Sequence, residues 1–204
     1  MRMILLAIAA CLAGASALAD DEASNVERTV ASPDGHCTAK SVPAHAYDPP
    51  GGARQQGLTE VTRNIAGRQT VVARHDWYAE RLHVLCWPGA GDDVLVVRIG
   101  PWARGRRPLP SHLALAFYRN GRPLKEYSTW DIAGGQEADP QAVRESVSHY
   151  QVFAEGPDLV PADAARAEAG ARLAPPGSGN DWVMRARTFD GRVLWFEVET
   201  GRLR

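Results

Sequence analysis

The chain has 204 residues with Lys+Arg 23, Asp+Glu 24 and 45% hydrophobic residues, numbers that fit one folded domain and exclude disorder, a collagen repeat and a coiled coil. A formal net charge of -1 supplies no global field toward nucleic acid or an anionic membrane, so only a local basic patch can serve such a partner. Gly 19, Pro 14 and Trp 6 favour a turn-rich β architecture over a helix bundle.

The first segment reads as a secretory signal peptide over residues 1–19. Arg2 is the positive start, Ile4 to Ala17 the apolar stretch, and Ala17-Leu18-Ala19 a small-x-small cleavage site before acidic Asp20, Asp21 and Glu22. The apolar stretch is shorter than the ~20 residues of a membrane-spanning helix, and no later segment comes closer. A rival reading makes Ile8-Ala9-Ala10-Cys11 a lipobox, with Cys11 the lipidated first residue of a lipoprotein. Residues 20–204 are then a single β-rich domain, exported to the periplasm or the extracellular space. In that oxidising setting the two remaining cysteines, Cys37 and Cys86, are expected to form one disulfide; a redox-active pair would need a closer spacing.

Strand and turn signals dominate the rest of the chain. Ser32-Pro33-Asp34-Gly35 is a type I turn signal linking a strand that ends near Ala31 to one over residues 37–42. Residues 43–57 are rich in Pro and Gly and read as a loop. Strands are expected at 69–74, 81–87 and 94–100. In the second of these Leu82, Val84 and Cys86 alternate with Arg81 and His83, which carries the cysteine inward. Asn120-Gly121 predicts a two-residue hairpin loop pairing Phe117 with Leu124. Asp139-Pro140 opens a short helix to about Val147, and the Ala-rich stretch 161–173 predicts another within a loop-rich region, 156–180. Asp190-Gly191 predicts a second two-residue hairpin loop. Its register would put Met184, Ala186, Val193 and Trp195 on one apolar face, with Arg185, Arg187, Leu194 and Phe196 on a wet one.

The strings Ser32-Pro33-Asp34-Gly35 and Asp190-Gly191-Arg192-Val193-Leu194-Trp195, the latter closing on Thr200-Gly201, resemble hairpins of β-propeller blades in secreted proteins. The middle of the chain runs from Asp76-Trp77-Tyr78 through Val97-Arg98-Ile99-Gly100-Pro101-Trp102 and Phe117-Tyr118-Arg119-Asn120-Gly121 to Ser146-Val147-Ser148-His149-Tyr150. It is similar to exported, β-rich bacterial proteins of uncharacterised activity. These resemblances imply export and a β-rich fold, and they imply no catalytic residue. At ~40–45 residues per blade no clean repeat is visible. The expected fold is therefore mainly β, an antiparallel meander or sandwich that is propeller-like, with one or two short helices.

Three chemistries can be weighed. A Ser-His-Asp set from Ser146 or Ser148, His149 or His75, and Asp76 or Asp131 would need a positioned nucleophile, and no Gly-x-Ser-x-Gly elbow or Ser-x-x-Lys supplies one. For a metal, His36 and His83 flank the cysteines but would stand more than ~13 Å apart if Cys37 and Cys86 were opposed in neighbouring strands, so no metal site is expected. The third feature is Arg98, Trp102, Arg104, Arg106 and Arg107, which gather guanidinium and indole groups on a segment constrained by Gly100, Pro101, Gly105, Pro108 and Pro110. The expectation is a non-catalytic interaction module of the cell envelope, without cofactor. It would bind a protein or anionic polymer through that segment, and not nucleic acid. The alternative is a hydrolase built on His149 with a nearby carboxylate and serine.

Overall fold

The computed structural model of the protein describes residues 26–44, 57–65, 67–86, 93–101, 108–134, 152–169 and 182–204. Residues 1–19, expected to be a signal peptide, with Cys11, the segment holding Trp102, Arg104, Arg106 and Arg107, the helix expected from Asp139, and Ser146, Ser148 and His149 all lie outside these residues.

Among the described residues the chain is mainly β, with eleven strands in three antiparallel sheets. The first sheet holds β1 (Arg28–Ala31), β2 (Cys37–Val42), β3 (Leu58–Ile65) and β4 (Arg68–His75). The second holds β5 (Leu82–Cys86), β6 (Val94–Ile99), β7 (Leu113–Arg119) and β8 (Arg122–Ser128), and the third β9 (Phe153–Pro161), β10 (Trp182–Thr188) and β11 (Val193–Glu197). Spatial order follows chain order in each, so every sheet is a meander. Beyond β11 a single bridge pairs Phe196 with Leu203. Two short helices, α1 (Thr129–Ile132) and α2 (Ala162–Ala169), follow β8 and β9.

The second sheet is the middle layer. Residues 94–97 of β6 are an unbroken apolar run because both faces of that strand are covered. Val94 and Val96 pack with Cys37, Ala39, Val61 and Ala73 of the first sheet. Leu95, Val97 and Ile99 pack with Met184, Ala186, Leu194 and Phe196 of the third. Full burial of each Val, Leu, Ile, Met or Phe side chain among these stabilises the fold by about 1.5–3 kcal/mol. In β5 the expected alternation holds for Leu82, Val84 and Cys86, which join the first core, while Leu85 turns to the second.

Both glycine hairpins depart from their expected registers. At Asn120-Gly121 Arg119 faces Arg122, as a two-residue loop requires, but a bulge shifts the ladder and Phe117 meets Lys125 rather than Leu124. At Asp190-Gly191 the turn is wider. Thr188 N–H donates to Arg192 O (2.9 Å), Gly191 N–H donates to Thr188 O (3.0 Å), and Gly191 takes φ 84°. The pairing moves to Arg187–Val193, Ala186–Leu194 and Met184–Phe196, so every β11 side chain changes face. Leu194 and Phe196 enter the core, and Trp195 joins Val183 and Ala165 on the side covered by α2. Within 156–180, expected to be loop-rich, residues 156–161 belong instead to strand β9, which pairs with β10 from Trp182–Pro161 to Thr188–Phe153, and the helix expected in 161–173 forms over Ala162–Ala169.

Candidate functional site

Cys37 and Cys86 are bonded, with Cα atoms 6.1 Å apart. They join β2 of the first sheet to β5 of the second, across the core rather than along one ladder. His83 leaves β5 on the opposite side, where its Nε2 lies 2.8 Å from Pro157 O of β9, and burial holds its pKa below the ordinary value. His36 is exposed in the first turn, so these two histidines serve different surroundings. Among the described residues no group of three His, Cys, Asp or Glu side chains could hold a metal ion, and no helix is long and apolar enough to cross a membrane.

Arg98, expected at the rim of the basic segment, sits in an aromatic cluster between the first two sheets. Its guanidinium carbon stands 4.7 Å over the Trp77 ring, and Nη2 donates to Tyr78 O at 3.2 Å. His75 lies 4.6 Å from Trp77 and 4.9 Å from Tyr118 by ring centroids, and Trp77 and Tyr118 are 5.2 Å apart. The Tyr118 hydroxyl donates to Glu126 Oε1 at 3.3 Å. Burial, and next the Glu126 charge, raise the Tyr118 pKa. A buried polar chain fixes the segment that carries Trp77: Ala79 N–H donates to Ser41 Oγ (2.8 Å), Ser41 Oγ shares a hydrogen bond with Thr59 Oγ1 (2.8 Å), and Thr59 Oγ1 donates to Trp77 O (2.8 Å).

Of the acids and bases in the expected hydrolytic set, His75 is 4% exposed and Asp131 completes the capping box of α1 with the N-cap Ser128, accepting from Ser128 N–H at 2.8 Å and from Ser128 Oγ at 2.7 Å. These two are not brought together. The signal for the aromatic cluster was present in His75-Asp76-Trp77 and in Phe117-Tyr118, but strands distant in sequence had to meet before it became a site.

The stems of the Trp102–Arg107 segment are described on both sides. Gly100 N–H donates to Ala114 O at 2.9 Å, and a Cβ at Gly100 would stand 1.7 Å from Leu113 O, so only glycine permits this approach. On the other side Thr129 clamps Leu109 twice: Leu109 N–H donates to Thr129 Oγ1 (2.9 Å), and that hydroxyl donates to Leu109 O (3.1 Å). Beside the stems lies a recess of about 50 Å³ whose lining includes Arg81, Pro101, Leu113, Thr129 and Phe153. That volume is far below the several hundred Å³ of a small-molecule site. No family model matches the chain, and no curated protein or solved structure matches it either.

Proposed function

We propose that this protein is a non-catalytic interaction module of the bacterial cell envelope, exported to the periplasm or beyond, that binds a protein or polymer partner bearing carboxylates or phosphates. The binding groups are Trp102, Arg104, Arg106 and Arg107. The observation that carries this reading is the anchoring of both stems of their segment, Gly100 on Ala114 and Leu109 on Thr129. Fixed ends reduce the ordering cost of a binding segment, and a guanidinium cluster beside an indole suits anionic groups that also offer apolar or stacking area. Arg98 takes a supporting role, since its guanidinium is engaged by Trp77 and Tyr78. The buried inter-sheet disulfide supports export, because such bonds persist in oxidising compartments.

The test is capture from an envelope extract by the immobilised mature chain, with mass spectrometry of what is retained. Replacing Arg104 and Arg106 by Ala should weaken capture and flatten its salt dependence at unchanged thermal stability. Undiminished capture of the same partner by the double variant at low salt would refute the assignment. Intact mass of the exported form should begin at Asp20.

A further inference from the structure

His75 closes β4 at the joint where the chain passes from the first sheet to the second. It is 4% exposed and enclosed by Trp77 and Tyr118, and its Nε2 has no hydrogen-bond partner among the described residues; nor has Nε of Arg98. Arg98 is a permanent cation. A neutral imidazole fits this setting as one more aromatic ring, whereas an imidazolium would be a second desolvated cation facing the first. Among the described residues the other charged groups here are few. Asp76 follows His75 in the chain, Arg74 precedes it and pairs with Glu60 of β3 (2.6 Å), and Glu126 of β8 reaches the cluster through the Tyr118 hydroxyl. Arg63 of β3 is also buried, but it stands opposite Cys37, four positions along the strand from Thr59, the partner of His75. Burial first, and then Arg98, lower the His75 pKa from 6.5 to about 4, with Asp76 opposing them.

We propose that His75 is an acid-sensitive latch: on taking a proton from solvent it opens the aromatic cluster and loosens β1–β4 from β5–β8, while the Cys37–Cys86 bond keeps the two sheets tethered so that the joint recloses. Only the imidazole nitrogen gains a proton, and no covalent bond breaks.

The direction follows from linkage. A state in which His75 is exposed binds the proton more tightly than the closed state, so the closed joint is fully favoured above pH 6.5. That advantage is lost as pH falls toward 4. The two values bound the effect at about 300-fold in the closed-to-open equilibrium. Asp93 and Asp190 also have lowered pKa values. Hydrogen bonds from Arg119 and then Asn120 lower that of Asp93; at Asp190 burial acts upward but is outweighed by Thr188 and Arg192. Their contributions are lost only as pH falls below the ordinary carboxylate value of 3.8, which separates them from His75. His83 shares the upper limit of the window, but it faces β9, with Pro157, Asp158 and Arg81 around it.

Amide hydrogen exchange of the disulfide-intact protein at pH 7, 5.5 and 4.5, corrected for intrinsic rates, reads the joint directly. At pH 4.5 protection in β1–β4 should fall by up to about 80-fold and return at pH 7, while β10 and β11 keep theirs. His75→Phe should flatten the response. If that variant does not fold, an NMR titration of the wild-type imidazoles decides. A His75 that stays neutral until the joint opens sustains the proposal; one that titrates near pH 6.5 with Trp77 and Tyr118 resonances unmoved overturns it. So does β1–β4 protection that is constant from pH 7 to 4.5.

Discussion

Tyr127 shows how much one hydroxyl can organise. It donates to Gly201 O at 2.8 Å and accepts from Leu203 N–H at 3.1 Å, while its ring packs 5.3 Å from Phe196 and 6.5 Å from Phe117. The turn after β11 is thereby tied to β8, and Gly201 comes so close that a Cβ there would stand 2.7 Å from Lys125 Cβ. Tyr127→Phe keeps the ring and strands both backbone partners, so it should cost about 1–2 kcal/mol in urea denaturation with an unchanged m-value. At Gly100 the conflict is with backbone. Gly100→Ala must push β6 from β7 where Leu113 O stands, so it should lower the thermal midpoint by more than Tyr127→Phe does.

At the scale of elements, two turns repeat one device. Ser32 Oγ donates to Asp34 Oδ1 at 2.5 Å and accepts from Cys37 N–H at 3.1 Å, and Gly35 N–H donates to Ser32 O at 2.9 Å. The Thr188 hydroxyl bonds Asp190, and Gly191 N–H donates to Thr188 O. In both, a hydroxyl, a carboxylate two residues on and a glycine at positive φ set the register of the following strand. No atom lies within 4 Å of a Cβ built at Gly191, so Gly191→Ala meets only the conformational penalty, about 1 kcal/mol. α1 works differently, because its buried Thr129 holds a stem of the basic segment. Thr129→Val removes both hydrogen bonds to Leu109. Stability should fall by about 1–3 kcal/mol, and partner capture should weaken although no residue of 102–107 has changed.

For the whole molecule, the middle sheet is shared by two cores, and the disulfide spans only one of them. Cys37 and Cys86 are 49 positions apart, and closing that loop stabilises the fold by about 4 kcal/mol in the chain-entropy model. Reduction should therefore lower the thermal midpoint. Because the bond joins β2 to β5, exchange protection should fall first in β1–β4, with β10 and β11 retaining theirs at mild temperature. Uniform loss across all three sheets would show that the cores unfold as one unit.

Local chemistry was legible in the sequence wherever it acts over a few residues. The Pro-Asp-Gly and Asn-Gly turns, the alternation in β5, the Ala-rich helix and the pair Cys37 and Cys86 led to a mainly β meander stapled by Cys37–Cys86. Only the tertiary structure decided what depends on partners. β3 and β9 carry Asn64, Gly156 and Pro157 and gain their status from the neighbours they pair with. A wider turn at Asp190-Gly191 exchanged the faces of β11, since strand period two turns any single-residue slip into an inversion. Arg98 is the sharpest case at the site. Close to Arg104 in sequence, it looks like part of one basic segment, but its strand parity places it against Trp77 and Tyr78, on the face that the first sheet covers. Sequence spacing measures distance along the chain, and which side of a sheet a charge occupies is settled by the layer that packs there.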